Sequence, residues 1–278
     1  MQSEVVDFSR YRGKHPNQVR RRPCARRWLA LVVALGWIAP AACAWADNPG
    51  YDRPGLGFNP AVLSLGQVTL EQGLPSWSHD RQDGISSSEY SADSLLRLGL
   101  GSSLELQFGK SLYNHLQQTG AGTNQVSTGR GDSSLALKLA LPSSSASFNW
   151  GLLGSVEFTD GARDFRNRQR QFLLGMALGW QLDPANSIGA YLEDVRAAGH
   201  DSRTLAINGS HLLTSSLNVY AEAAWQRQAG SAGGTLAGGG LAWQVNRRVQ
   251  LDAGFRRRLS GPLADWWAGL GLSVFFGH

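Results

Sequence analysis

The chain has 278 residues, with 26 Lys or Arg against 21 Asp or Glu and two cysteines, Cys24 and Cys43. Eight of the basic and two of the acidic residues fall in the first 46, so the remaining 232 carry 18 against 19 and no cysteine. The surplus positive charge therefore gives no reason to expect nucleic-acid binding, and the bulk of the chain excludes a disulfide framework, a thiolate metal site and a cysteine nucleophile.

Arg20, Arg21, Arg22, Arg26 and Arg27 precede an apolar run from Trp28 to Ala42, and Ala44-Trp45-Ala46 supplies a small-x-small pattern. This is the layout of a secretory signal over residues 1–46, with cleavage expected before Asp47. The run is too short and wrongly flanked for a spanning helix. Pro40 stands where a lipoprotein signal wants leucine before Cys43, and Trp28-Leu29-Ala30 after Arg26-Arg27 matches a twin-arginine signal only loosely. Residues 47–65 then form an N-terminal segment expected in the periplasm or as a plug, ahead of a domain over 66–278.

No later stretch approaches 20 apolar residues; alternation of period two replaces it. Twelve strands are expected: 66–77, 91–101, 104–113, 132–141, 146–158, 169–182, 187–195, 202–213, 217–226, 235–245, 249–258 and 266–276. Residues 101–103, 142–145, 183–186, 214–216 and 246–248 read as tight turns. They alternate with looser connections, of which 78–90 and 114–131 are long and 159–168, 196–201, 227–234 and 259–265 shorter. Short turns at one end and longer loops at the other, over an even strand number, is the connectivity of an outer-membrane barrel with both termini in the periplasm.

The faces support this. In 146–158 one face is Phe148, Trp150, Leu152, Gly154, Val156 and Phe158, and the other Asn149, Gly151, Leu153, Ser155 and Glu157. In 169–182 Phe172, Leu174, Met176, Leu178, Trp180 and Leu182 stand against Leu173, Gly175, Ala177, Gly179 and Gln181. A soluble sandwich would carry long charged side chains on its polar face, whereas small residues suit the crowded inside of a closed sheet. Trp150, Trp180, Trp225, Trp243 and Trp266 fall on the apolar face near strand ends, where indoles form the two membrane girdles of a barrel. The first three belong to the periplasmic girdle and the last two to the outer one. Trp266, Ala268, Leu270, Leu272, Val274 and Phe276 alternate to the end, like the terminal strand that the barrel-assembly machinery reads, although Gly277-His278 follow the aromatic.

The segment "YDRPGLGFNPAVLSLGQVTLEQGLPSWSHDR", with Asp52-Arg53-Pro54-Gly55, Pro60, Gly66, Glu71 and Gly73, resembles the start of the exported family named for the MetA pathway of phenol degradation. "LLRLGLGSSLELQF", "TGRGDSSLALKLAL" and "DAGFRRRLSGPLADWWAGLGLSVFF" resemble later parts of it, so the likeness covers most of the chain after the signal. It implies an all-β, transmembrane antiparallel up-and-down barrel of the Gram-negative outer membrane, with a transporter role and an aromatic or apolar metabolite as solute. The family name reflects genetic context and specifies no substrate.

Strand parity turns Glu71, Arg97, Glu105, Lys138, Glu157, Glu193, Glu222, Asp252 and Arg256 inward, one from each of nine strands. Charges near the membrane midplane cost a few kcal/mol on the lipid face, so the lumen is their place. They read either as a selective pore lining or as a neutralising network, and six acids against three bases give an open pore a mild cation preference. Arg97 and Glu105 lie at similar heights above the turn 101–103, close enough to pair.

Arg130-Gly131-Asp132 has the form of an adhesion motif but sits at the mouth of a strand, where a structural role is expected. His200-Asp201-Ser202 has the His-x-Ser spacing of outer-membrane phospholipase A, with no identifiable Asn partner. Arg163, Arg166, Arg168 and Arg170, with Asp160 and Asp164, form a charged loop at the outer mouth that suits lipopolysaccharide phosphates, the vestibule or plain solvent. The expected protein is a monomeric channel for passive passage of small solutes, in contact with outer-membrane lipid and lipopolysaccharide, with no enzyme activity, metal, cofactor or nucleic acid implied. A closed structural or adhesive barrel is the first rival and a lipid-modifying enzyme the second.

Overall fold

The computed structural model describes residues 48–120, 122–198 and 201–277; the expected signal, residues 1–46, lies outside them, as does His200. Among the described residues thirteen strands follow in order: β1 (Val68–Gln82), β2 (Ile85–Gly99), β3 (Leu104–Gly120), β4 (Thr123–Gly129), β5 (Ser133–Leu141), β6 (Phe148–Glu157), β7 (Gln171–Gln181), β8 (Asn186–Arg196), β9 (Ser202–Leu212), β10 (Leu217–Gln228), β11 (Gly234–Asn246), β12 (Val249–Ser260) and β13 (Trp266–Phe276). Neighbours in sequence pair antiparallel, β1 pairs with β13, and the β2–β3 pairing closes the sheet into a barrel. Both β4 and β5 pair with β3, so they are one stave interrupted at Arg130-Gly131-Asp132, and the barrel has twelve staves.

The alternation that forms the strands also sets the barrel inside out relative to a soluble protein. Leu70, Leu96, Phe108, Leu137, Leu174, Ile207, Leu241 and Leu270 are exposed on the outside, while Glu71, Arg97, Glu105, Lys138 and Thr204 are fully buried inside. A continuous apolar belt of this kind aggregates in water and is stable against lipid.

Two of the expected loops are corrected. Residues 78–90 and 114–131 are largely strand: β1 and β2 run on to a tight turn at Asp83-Gly84, and β3 and β4 to a turn around Gly120 and Gly122. Asp83 and Gly84 both have positive φ, 51° and 75°, as a type I′ hairpin turn requires. Apolar alternation needs one greasy face, and this ribbon, with Ser86, Ser87, Ser88, Gln117 and Gln118 in register, has none.

A bulge re-aims part of β1. Its register on β13 slips between Leu74 and Trp77, and on β2 between Gln72 and Ser76, around Pro75, which has no N–H for the ladder. Below it Glu71 and Gly73 face inward; above it Ser76, Ser78 and Asp80 do, and Trp77 turns outward. Trp77 meets Trp266 edge-on with ring centroids 3.5 Å apart and stacks on Tyr90 at 6.0 Å.

Residues 48–66 run inside the barrel before Gly66 leaves along the end of β2, its N–H bonded to Gly99 O at 3.1 Å. The small residues of the inner wall leave room for it. A Cβ on Gly151 would come 2.9 Å from Pro60 O.

Candidate functional site: a clamped segment across the lumen

Four wall side chains hold the segment from one side. Arg97 on β2 donates to Glu105 on β3 through two bonds, Nε–Oε1 at 2.7 Å and Nη2–Oε2 at 2.9 Å, and its Nη1 reaches Glu71 Oε1 on β1 at 2.8 Å. Lys138 on β5 lies 3.2 Å from Glu105 Oε1. Into this group the segment inserts Asp52, whose Oδ1 accepts from Lys138 Nζ at 2.9 Å and whose Oδ2 accepts from Gln107 Nε2 at 2.8 Å. Arg97 Nη1 also donates to Gly50 O at 3.0 Å.

The wall's own charges balance, two acids against two bases, and Asp52 makes the group one negative in excess. Backbone N–H donors offset that excess: Asp52 N and Arg53 N donate to Glu71, Leu63 N to Glu105 and Asn59 N to Asp52, at 2.9–3.0 Å. Arg97, Glu105 and Lys138 are 0% exposed and Glu71 1%. Buried charges at this density are stable only when every one is paired and hydrogen-bonded, as here.

Further along, Arg53 Nη2 pairs with Asp252 Oδ1 on β12 at 3.1 Å and donates to Leu270 O, and Gln250 Nε2 donates to Arg53 O at 3.0 Å. Leu56 N donates to Glu222 Oε2 at 2.7 Å; the other oxygen of Glu222 accepts from Arg256 Nε at 2.6 Å, and the Arg256 guanidinium lies over Trp267, 4.2 Å from the ring centroid. Ala136, Leu153, Ala177, Ala206 and Ala224 form a small apolar patch of wall packed with Phe58 and Tyr191, and Lys138 Nζ lies 5.8 Å from the Phe58 ring centroid. Phe58 meets Tyr191 edge-on at 5.8 Å, and the Tyr191 hydroxyl donates to Glu193 at 2.6 Å.

The segment divides the lumen. At the turn end lies a cavity of about 590 Å³ bounded by residues 49–61 and the inner ends of the strands from β6 to β12. Towards the loop end are cavities of about 90 and 70 Å³. Leu56 borders all three, and it stands between Gly55 and Gly57, whose φ values are +107° and +90°. An apolar cavity of about 150 Å³ accommodates benzene, so the first is roomy and the others are tight.

Of the nine side chains singled out by parity, Glu71, Glu157, Glu222 and Arg256 border cavities. Arg97, Glu105 and Lys138 are consumed by the clamp. Asp252 pairs with Arg53, and Glu193 accepts from Tyr191 and Thr204. Glu157 accepts from Asn167 Nδ2 of the loop above it at 2.6 Å. Asp52 and Arg53, which in the sequence mark only the family resemblance, supply partners from the segment together with Leu56 and Phe58, and Gln107, Tyr191 and Trp267 join from the wall without any parity charge to mark them. Asp52 and Arg53 carry opposite charges side by side, a signal for docking onto a mixed-charge wall.

Trp150, Trp180 and Trp243 stand at the turn end, the latter two exposed, and Trp225 and Trp266 at the loop end. Asp132 of the Arg-Gly-Asp triplet is 3% exposed and accepts from Gly161 N at 2.8 Å and Asn167 N at 2.6 Å, which pins the loop after β6 rather than presenting an acid to solvent. Ser202 is buried on the inner face, away from any lipid acyl chain. Arg163, Arg166, Arg168 and Arg170 are all exposed.

A family model described as "Putative MetA-pathway of phenol degradation" matches residues 51–276. The chain belongs to that family. Among solved structures it is similar to the COG4313 outer membrane channel from Pseudomonas putida F1, with 14% identity, 81% of this chain and 99% of that chain covered, and a TM-score of 0.60. It is also similar to the translocator domain of the autotransporter NalP from Neisseria meningitidis (11% identity, 77% and 90% covered, TM-score 0.51) and to the KdgM porin (10%, 76% and 99%, 0.50). None of the curated proteins matches by sequence. At these identities the likeness establishes the fold, that of outer-membrane barrels.

Proposed function

We propose that this family member is a narrow outer-membrane channel for small apolar or aromatic solutes, with residues 48–66 as its constriction and the turn end facing the periplasm. The observation that carries the reading is the chain of cavities sharing Leu56. Arg53, Gly55, Leu56, Gly57 and Tyr191 border both the large cavity and the 90 Å³ one, and Leu56, Arg256 and Trp267 border both smaller cavities. Leu56, between two glycines, is the residue common to all three cavities, with Arg53, Tyr191, Arg256 and Trp267 beside it. One flank of the segment is held by ion pairs and another packs on alanine, leucine and aromatic side chains, so a solute moving past Leu56 meets Tyr191 and Trp267 beside charges that are already paired, Arg53 with Asp252 and Arg256 with Glu222.

A wide polar pore is opposed by the same geometry: the charges that would select hydrated ions are paired with one another and with the segment. Swelling of liposomes holding the purified, refolded protein, with phenol compared against sugars of graded size, tests the proposal. Entry of phenol with exclusion of disaccharides is expected. Equal entry of both, or of neither, overturns it.

A further inference from the structure

We infer that the loop-end rim of β7–β10 and β12 is a binding site for the phosphates of lipopolysaccharide. The inference rests on the outer-membrane orientation proposed above, and its test does not depend on transport.

Arg170, Arg196, Arg203, Arg227 and Arg257 are exposed and stand at the loop ends of their staves. On the strands the inward neighbours are buried: Val195 beside Arg196, Ser202 and Thr204 around Arg203, and Gln226 beside Arg227. Alternation therefore points the four on strands, Arg196, Arg203, Arg227 and Arg257, outward, away from the lumen, and Arg170 stands exposed just before β7. Directly beneath them on the same face come Phe172, Leu205, Trp225 and Phe255, part of the apolar belt. The arginines thus sit where acyl chains give way to headgroups.

The registers make the arrangement unbalanced. Arg203 is directly opposite Arg227 across the β9–β10 ladder, and Asp194 is opposite Arg203 on the other side. Asp194 serves two of them, Arg196 Nε at 2.7 Å and Arg203 Nε at 3.0 Å. Like charges directly opposite in a sheet are destabilising unless a counter-anion joins them. Among the described residues the other half of the rim carries no such pair: Arg257 is followed across the ladders by Trp266, His79, Ser88 and Gln117.

Guanidinium forks at a headgroup boundary match phosphate in a bidentate way. The loop end faces the outer leaflet, whose phosphate carrier is lipopolysaccharide; phospholipid headgroups of the inner leaflet meet the turn end instead. The occupant is accordingly a phosphorylated glycolipid lying against β7–β10, its acyl chains on Phe172, Leu205, Ile207 and Trp225.

The test titrates the refolded full chain in detergent with rough-type lipopolysaccharide, with the same lipid after enzymatic dephosphorylation, and with phosphatidylglycerol. Variants are the double substitution Arg203→Gln/Arg227→Gln and, as a control at the turn end, Arg247→Gln. Heat-modifiable gel migration reports that each barrel is folded. Affinity for intact lipopolysaccharide should fall about tenfold or more in the double variant, stay unchanged in the control, and be equally weak in the wild type for the dephosphorylated lipid. Undiminished binding by the double variant, or phosphatidylglycerol binding as tight as lipopolysaccharide, overturns the assignment. If the double variant does not fold, inorganic pyrophosphate competition on the wild type decides: displacement of the lipid supports the site and its absence overturns it.

Discussion

Lys138 on β5 lies 2.9 Å from Asp52, a residue 86 positions earlier in a segment that forms no ladder with the barrel. That contact, with Arg97 and Gln107 around it, fastens irregular chain inside a closed sheet. Ordering backbone costs roughly 1–2 kcal/mol per residue, and hydrogen bonds to charged groups return about 1.5–3 kcal/mol each. The clamp is what offsets that entropy. Lys138→Met should destabilise the protein by about 3–5 kcal/mol, because Asp52, Glu71 and Glu105 would then face Arg97 as their one cation. Urea unfolding in lipid vesicles measures it, and a loss below about 1 kcal/mol would remove the clamp from the account.

Leu56 should control which solutes pass. Leu56→Trp fills the junction between the 590 Å³ cavity and the two smaller ones, and is expected to lower phenol uptake severalfold while leaving the exclusion of sugars unchanged. Leu56→Ala should raise phenol uptake. Uptake indifferent to both substitutions would place the path elsewhere.

Gly57 has φ +90°, and a Cβ there would approach the Tyr191 ring to 2.7 Å. Gly57→Ala therefore meets backbone strain and a collision together. The expected result is altered solute passage together with a loss of about 1–3 kcal/mol in urea unfolding; unchanged uptake and unchanged stability would show that the segment shifts to absorb the methyl group.

Asp132 holds the loop after β6 through two backbone N–H groups, and Arg163, Arg166 and Arg168 on that loop are exposed to trypsin. Leaving those donors unpaired costs about 1–3 kcal/mol, so Asp132→Ala should speed tryptic cutting of the loop by about tenfold or more. Cutting at the wild-type rate would show that the loop is fixed by other contacts.

A second tie on that loop is sensitive to acid. A hydrogen bond from the Lys110 ammonium and another from Ser133 N–H hold the Asp160 carboxyl at about 2. A carboxyl depressed on folding contributes stability that is fully present above its ordinary value of about 4 and disappears as pH falls through about 2. Amide-exchange protection of Ser133 should therefore persist at pH 3 and fade below 2. Loss between pH 5 and 4 would contradict the pairing.

Much of the barrel is written in alternation: Leu96, Leu98, Leu104, Leu106 and Phe108 mark their strands as directly as any motif does, and Trp180 and Trp243 mark an end. The pairing of Arg97 with Glu105 also follows from their distance to the turn at 101–103. Where both faces are wet the signal vanishes, so Ser86–Ser88 and Gln117–Gln118 do not announce a ribbon. Asp83-Gly84, a strong hairpin turn in any alternating context, was the remaining clue. The bulge at Pro75 reverses the facing of Trp77, which strict parity turns inward. The clamp is the least legible part, because the docking of Asp52 onto Lys138 is a contact of long sequence separation between an irregular segment and a wall, with no period to betray it.

Residues 48–66 narrow the lumen, and the Asp52 side chain fastens them to β3 and β5. Removing Asp52 leaves the wall's Glu71 and Glu105 balanced against Arg97 and Lys138, so Asp52→Ala loosens the segment from β3 and β5 without unbalancing the barrel, while the Arg53–Asp252 and Leu56–Glu222 ties remain. Single-channel conductance in planar bilayers compares the two proteins directly. A severalfold higher ion conductance in the folded variant, or frequent openings absent from the wild type, is the predicted result; identical conductance would contradict the account.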